Sequence, residues 1–324
     1  MQTITARAHT NIALIKYWGK KDPQLMLPYT DSVSLTLADF YTDTTVGFDA
    51  SLTADVFSLN GQVQPAGKVS RFMDQVRKQA GIAAFAKISS NNHVPTAAGL
   101  ASSASAYAAL ALAASRAAGL QLAPQALSRL ARRGSGSATR SIYGGLAIWH
   151  RGVDDATSYA QALPATPLAL AMVVVMISKA AKSVSSRALM ANTVATSPYY
   201  PAWVSHNQEA AGQMVAALAA GDMAQVGHLT EQSSMQMHAA ILASDPAFTY
   251  WQPETLQAWA IVRQLRQSGL PAYATMDAGP NVKVLTTQEA AAKVQAALAA
   301  AFPNRVLVAL PGPGAQVLKE EADV

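Results

Sequence analysis

Apolar and polar residues alternate from Thr3 towards Ile15 with the two-residue period of a strand, and strand signals recur at Val33–Phe40, Thr44–Phe48 and Ala86–Ser90. Val69–Ala80 differs: Val69, Phe72, Met73 and Val76 fall at i, i+3, i+4 and i+7, one face of a helix. Helices follow at about 100–118 and 124–133, and Gly145–His150 closes this half as a strand. The order is α+β. Past Pro167 the pattern changes. Leu168–Ile177 is a β-branched strand run, helical stretches lie near 184–195, 201–220, 222–243 and 252–268, and strands are expected at Ala272–Met276 and Asn281–Thr286. An Ala-rich helix over Gln288–Ala301, with Glu289 and Lys293 at i,i+4, leads to a last strand at Arg305–Leu310. Strand, helices, two strands, helix, strand is the split βαβ order of a ferredoxin-like domain. A boundary is therefore expected near Pro167, with domains 1–167 and 168–324.

The 324 residues suffice for about two domains and a large core. With 51% hydrophobic and 13% charged residues the balance is that of a folded globular protein. The absence of cysteine excludes disulfides, thiolate metal sites and a cysteine nucleophile. The six histidines, at 9, 93, 150, 206, 228 and 238, form no H-x-x-x-H pair, which argues against zinc. Two uncharged stretches, 94–115 and 156–178, are interrupted by Pro95 and Gly99 and by Pro164 and Pro167, so both are read as core rather than membrane spans. The N-terminus lacks the layout of a signal peptide, and the cytoplasm is expected. A net charge of +5 is too small and dispersed for nucleic acid but suits an anionic small molecule if cations converge on one cleft.

Four segments hold the candidate chemistry. Pro95–Ser105 (PTAAGLASSAS) opens the Ala-rich helix with small, uncharged residues, leaving first-turn amides open to a phosphate or, equally, allowing close helix packing. Its spelling matches neither of the two commonest nucleotide loops. Asn11–Asp22 (NIALIKYWGKKD) ends a strand in a cation-rich turn, where Lys16, Lys20 and Lys21 with Tyr17 either grip a phosphorylated substrate or form a solvated strand end. Gly134–Arg140 (GSGSATR) delivers one arginine from a hydroxyl-rich turn, suited to an oxyanion or to no ligand at all. Thr275–Asn281 (TMDAGPN) places Asp277 where a strand enters a tight turn, a common setting for an aspartate without chemistry.

Together, Asn11–Asp22, Pro95–Ser105, Ser135–Arg140 and Asp277–Asn281 resemble, in order and spacing, the diphosphomevalonate decarboxylases of the GHMP small-molecule kinase superfamily. The resemblance implies an α+β, two-domain GHMP kinase fold: an N-terminal ribosomal-protein-S5-like domain with a left-handed βαβ crossover, against the usual hand, and a C-terminal ferredoxin-like domain. It implies a substrate cleft between them, ATP and Mg2+ as cofactors, a homodimer, and conversion of (R)-5-diphosphomevalonate to isopentenyl diphosphate, ADP, phosphate and CO2. A C3 kinase or a 5-phosphomevalonate decarboxylase of the same fold is the alternative, and a non-catalytic metabolite-binding protein a remoter one.

Carried over by position, the resemblance gives Asp277 the task of orienting or deprotonating the C3 hydroxyl and stabilising a cationic carbon. Arg140, helped by Asn11, holds the C1 carboxylate. Tyr17, Lys20, Ser135, Gly136, Ser137 and Arg187 bind the diphosphate, with Ser186 beside the reacting phosphoryl group. Lys179–Arg187 (KAAKSVSSR) resembles a mobile segment of the family from which Lys182 reaches the ATP phosphates. Gly99, Ser102, Ser103 and Ser105 cradle ATP, Ser102 facing Mg2+, and Lys68 and the Ser89–Asn92 stretch are added as nucleotide contacts. His238, among apolar neighbours on a helix, is read as a core residue.

Overall fold

The computed structural model describes residues 2–93, 102–178, 180 and 183–321. The first half is one mixed sheet with helices on it. Strand β1 (Thr3–Ile15) is followed by a small hairpin, β2 (Lys20–Asp22) and β3 (Leu27–Pro28), and then by β4 (Ser32–Asp49). The expected strands Val33–Phe40 and Thr44–Phe48 are one element: from Tyr41 onward the burial alternates strictly, so the polar break carries no turn. Strands β5 (Val56–Leu59) and β6 (Gln62–Gln64) precede helix α1 (Gly67–Ala80), which leads to β7 (Phe85–His93), parallel to β5. Helix α2 (Ser102–Ala117) and α3 (Pro124–Gly134) then cover the sheet, followed by a 3-10 turn (Gly136–Ile142), β8 (Leu146–Trp149) and β9 (Ala160–Ala162). Most alanines of α2, among them Ala104, Ala108 and Ala111, are fully buried, which lets the helix backbone sit close on β1 and β4. The two uncharged stretches therefore hold helix α2 and sheet strands, and no helix among the described residues is long and apolar enough to cross a membrane.

The second half begins with β10 (Leu170–Val175) and continues through α4 (Ser186–Thr196), α5 (Tyr200–Ala220), α6 (Met223–Leu242) and α7 (Pro253–Gln267) to β11 (Tyr273–Met276), β12 (Val282–Thr287), α8 (Gln288–Ala301) and β13 (Val306–Ala309). Its sheet is antiparallel in the order β11–β12–β10–β13, the ferredoxin-like arrangement. Both faces are covered. Val173 and Val175 join the core of α7 and α8, whereas Leu170, Met172 and Val174 join Met214, Leu218 and Leu229 of α5 and α6. That second core also contains Ile12, Leu14, Val33 and Leu35 of the first sheet, so one hydrophobic cluster spans both halves. Each such side chain contributes roughly 1.5–3 kcal/mol on burial, which fixes the two sheets relative to one another. After β13 the chain returns: Gly312 bonds to Thr36, and the last strand, β14 (Gln316–Glu321), pairs with β1 at the edge of the first sheet.

Candidate active site

Asp277 stands directly after β11 at the meeting of the two halves. Met276, the residue before it, exchanges hydrogen bonds with Ser234 of α6: its N–H donates at 2.8 Å and its carbonyl accepts at 3.1 Å. Asn281, four residues on, accepts from the N–H groups of Ile177 and Ser178 and so ties this turn to the end of β10. The Asp277 carboxylate meets two ammonium groups, Lys16 Nζ at 2.7 Å on Oδ1 and Lys283 Nζ at 3.2 Å on Oδ2. Burial alone would push this carboxyl up, but Lys16 and Lys283 outweigh it and hold the group well below the usual carboxylate range. Lys16 is itself clamped by the second half. Its N–H donates to Ser233 Oγ at 2.9 Å, and its carbonyl accepts from Asn207 Nδ2 at 2.9 Å.

Arg140 lies buried in the 3-10 turn, and burial lowers it to about 10, so it stays charged at neutral pH. Its guanidinium donates to Ser32 Oγ and, at 3.3 Å, to Asn11 Oδ1, while Nε has no hydrogen-bond partner. Asn11 in turn donates to the Ser137 carbonyl at 2.9 Å and Ser141 Oγ at 2.7 Å. Both amide hydrogens are thereby engaged, and Asn11 acts by orienting Arg140. Tyr17 packs edge-on against Trp149 at 4.8 Å, and its buried hydroxyl has no hydrogen-bond partner. Burial raises its pKa, which keeps it a neutral donor. Gly136 makes this packing possible: a Cβ there would come within 2.8 Å of Trp149 and 2.9 Å of Tyr17.

Cations gather beside this site. Helix α4 packs on β2 and brings Arg187, in its first turn, near Lys20. Burial and then Arg187 lower Lys20 to about 8. Arg187 also acts on Tyr17 and Tyr107. A cleft of about 290 Å³ opens next to them, lined by Arg187, Tyr107 and Arg133 and by Lys68, Arg71 and Gln75 of α1. Ser103, exposed at the start of α2, accepts from Ser135 Oγ at 3.3 Å, so the helix start and the Ser135–Arg140 turn meet. The helix start, the Ser135–Arg140 turn and the Asn11–Asp22 turn thus face one region, and Lys16 joins it to Asp277.

The structure moves several expected residues. Ser105 is fully buried and shares hydrogen bonds with Thr42 (2.8 Å) and Thr10 (3.3 Å), joining α2 to the sheet. Lys16 pairs with Asp277 rather than standing with Lys20 as a phosphate grip. In the Ser89–Asn92 stretch, Ser90 bonds Thr44 and Asn92 accepts from Thr42, so both serve the sheet. Ser186 is half-buried at the start of α4. Gly99, Lys182 and the Ser102 side chain lie outside the described residues. Sequence reasoning missed Ser32, Arg71 and Lys283. Arg71 was findable, since Lys68, Arg71 and Gln75 repeat at i, i+3 and i+7 on one helix face. His238 is buried in the core as expected, tilted against Trp251 at 5.1 Å, but neither ring nitrogen has a hydrogen-bond partner, so it is not a satisfied core residue.

Residues 8–160 match the family described as diphosphomevalonate decarboxylase-like N-terminal domain, and residues 172–317 match the mevalonate 5-diphosphate decarboxylase C-terminal domain. The chain is 31% identical over 320 residues to a phosphomevalonate decarboxylase of Haloferax volcanii, covering 98% of each. The crystal structure of mevalonate diphosphate decarboxylase from Staphylococcus aureus superposes with a TM-score of 0.95 at 46% identity, over 98% of this chain and 99% of that one. A structure of MDDEF in complex with MVAPP, AMPPCP and magnesium gives 0.94 at 48% identity, over 98% of this chain and 100% of that one. Matches over each half and along the whole length agree in order and extent, and the chain belongs to the diphosphomevalonate decarboxylase family.

Proposed function

We propose that the protein converts (R)-5-diphosphomevalonate and ATP to isopentenyl diphosphate, ADP, phosphate and CO2. The observation that carries this reading is an ionised, half-buried carboxylate, Asp277, close enough to the buried guanidinium of Arg140 for the two charges to interact. A tertiary hydroxyl leaves poorly. MgATP supplies the phosphoryl group that turns it into a leaving group. As the C3–O bond breaks, positive charge grows on C3, and the fixed charge of Asp277 stabilises it without reorganisation. Because two lysines keep Asp277 ionised, its contribution is orientation and charge rather than strong proton abstraction. Arg140 aligns the C1 carboxylate so that the C1–C2 bond can break, its electrons forming the C2–C3 double bond. Ser32 and Asn11 fix the guanidinium for that task.

Tyr17, Lys20 and Arg187 would hold the 5-diphosphate, supported by the unpartnered Tyr17 hydroxyl and by the proximity of the two cations. Ser135, Gly136 and Ser137 would add contacts beside them, Gly136 lying against Tyr17. Lys68, Arg71 and Ser103 fit a triphosphate in the adjoining cleft. Among the described residues no group of three or more His, Asp or Glu could hold a metal. A magnesium ion would therefore come with the nucleotide phosphates, the Ser102 hydroxyl being its proposed protein ligand. A homodimer in the cytoplasm completes the proposal, the dimer being open to sedimentation at working concentration.

ADP and CO2 release, measured with mevalonate, its 5-phosphate and its 5-diphosphate, tests the reading. Equal ADP and CO2 with the diphosphate is the expected result. Preference for the 5-phosphate would place the protein with its Haloferax volcanii relative, and ADP without CO2 would make it a kinase.

A further inference from the structure

We propose that Lys283 is a positioning residue for this reaction: acting opposite Lys16, it fixes the Asp277 carboxylate and keeps it charged where the reacting carbon lies. The inference rests on the decarboxylase reading above. Lys283 belongs to β12, where Val282 and Val284 face the core of α7 and α8. By strand alternation Lys283 points to the opposite layer, and its side chain is completely buried. There Nζ sits 3.2 Å from Asp277 Oδ2 and 3.4 Å from the Asn281 carbonyl.

A buried lysine is retained only when paired, yet Lys16 already balances this carboxylate. Burial, Lys283 and Arg140 lower Lys16 while Asp277 opposes them, and with Lys16 and Lys283 both protonated the cluster carries surplus positive charge. The groups facing it do not cancel that surplus. Lys16 comes from the end of β1, Arg140 from the 3-10 turn, and His238 from α6 is held neutral, pushed down to about 3 by burial and then by Lys16. Uncompensated buried charge is not a device for stability. It suits a site that receives an anion, and the phosphorylated C3 oxygen of the substrate is one. Two cations on different oxygens also determine the orientation of the carboxylate, which a single pair leaves free to rotate.

The test compares Lys283→Met, Lys283→Arg and wild type in kcat, both KM values and the pH profile of kcat, with the carboxyl carbon of Asp277 titrated by 13C NMR in the ligand-free protein. Lys283→Met should lower kcat at least tenfold with each KM within threefold. The acid limb and the Asp277 titration should move up by a pH unit or more, because one of the two cations keeping the carboxylate ionised is gone. Lys283→Arg should restore the limb and at least a third of kcat. Against an Asp277→Asn background, Lys283→Met should cost less than a further twofold. Should Lys283→Met fail to fold, Lys283→Gln replaces it with the same expectations. A folded neutral variant with wild-type kcat and an unmoved limb overturns the proposal, as does an equal loss in the Asp277→Asn background. A wild type that releases no CO2 overturns the decarboxylase reading instead. The 13C titration then still decides the coupling, and an unmoved curve refutes it.

Discussion

Lys16 Nζ lies 2.7 Å from Asp277 Oδ1, a contact across 261 positions that joins the end of the first strand to the turn after β11. Each residue is fixed by its own surroundings, Lys16 by Ser233 and Asn207 and the Asp277 turn by Ser234 and Asn281. The pair therefore works as a strut between the two sheets and as the electrostatic centre of the site. Its geometry also limits the chemistry, since a carboxylate held ionised by ammonium groups is a stable anion and a weak base.

Asp277→Asn keeps the shape and removes the charge. It should lower kcat at least a thousandfold, about 4 kcal/mol of transition-state stabilisation, with both KM values within threefold. Stability should change with pH as well. The folded pKa of Asp277 lies below its unfolded value of about 3.9, so its contribution is complete above pH ~4 and is lost as pH falls towards the folded value. Denaturation curves of Asp277→Asn should consequently decline less steeply below pH ~4 than those of wild type. Full turnover in a folded variant refutes the assignment.

Lys20 gives a prediction on the alkaline side. With its pKa lowered to about 8 by burial and by Arg187, it loses its proton between pH 7 and pH 9.5. The KM for the 5-diphosphate should rise by roughly tenfold over that range while kcat stays level, because the anchor is remote from C3. Lys20→Arg, always protonated, should flatten the rise. A steep rise in Lys20→Arg equal to that of wild type would assign the titration elsewhere.

Ser103 and Ser105 are two residues apart and separate cleanly. Ser103 is exposed at the start of α2, whereas Ser105 hydrogen-bonds Thr42 and Thr10 inside the sheet. Ser103→Ala should raise the KM for MgATP about fivefold at unchanged Tm. Ser105→Ala should instead lower stability by about 1–2 kcal/mol and leave that KM within twofold. Thermal melts and MgATP titrations of the two variants decide it, and exchanged phenotypes would place Ser105 at the nucleotide.

The same contrast shows where the sequence was legible. Long elements followed from periodicity because burial repeats along them, and the antiparallel order of the second sheet followed from the order of its elements. The short hairpins did not: Lys20–Asp22 with Leu27–Pro28, and Val56–Leu59 with Gln62–Gln64, hold too few residues for a period to form. Nor did the return of Gln316–Glu321 to β1, which depends on partners at the other end of the chain, Arg7 opposite Gln316 and Thr3 opposite Glu321. Among site residues, Arg140 and Asp277 were legible through motifs, while Lys283 resembled any polar residue in an alternating strand. Its burial comes from the layer that α6 and β1 place over β12, which no local pattern encodes. Lys16 was misread because its sequence neighbours Lys20 and Lys21 are cations, yet its side chain turns to a partner in the other half.

Arg140→Lys separates the carboxylate anchor from the diphosphate anchors. The guanidinium reaches Ser32 Oγ and Asn11 Oδ1 through its two terminal nitrogens, with Nε still unengaged. A lysine offers three donors from one point and cannot span those acceptors while holding a carboxylate in a planar, two-donor grip. The charge stays and the alignment is lost, so kcat should fall by about two to three orders of magnitude. On the proposed reading Lys20 and Arg187 hold the far end of the substrate, so Lys20→Ala and Arg187→Ala should chiefly raise KM. With the 5-diphosphate and the 5-monophosphate run side by side, the two anchor variants should narrow the difference in kcat/KM between the substrates, and Arg140→Lys should leave it as in wild type. The reverse pattern would mean that the substrate lies in the cleft with its carboxylate and diphosphate ends exchanged.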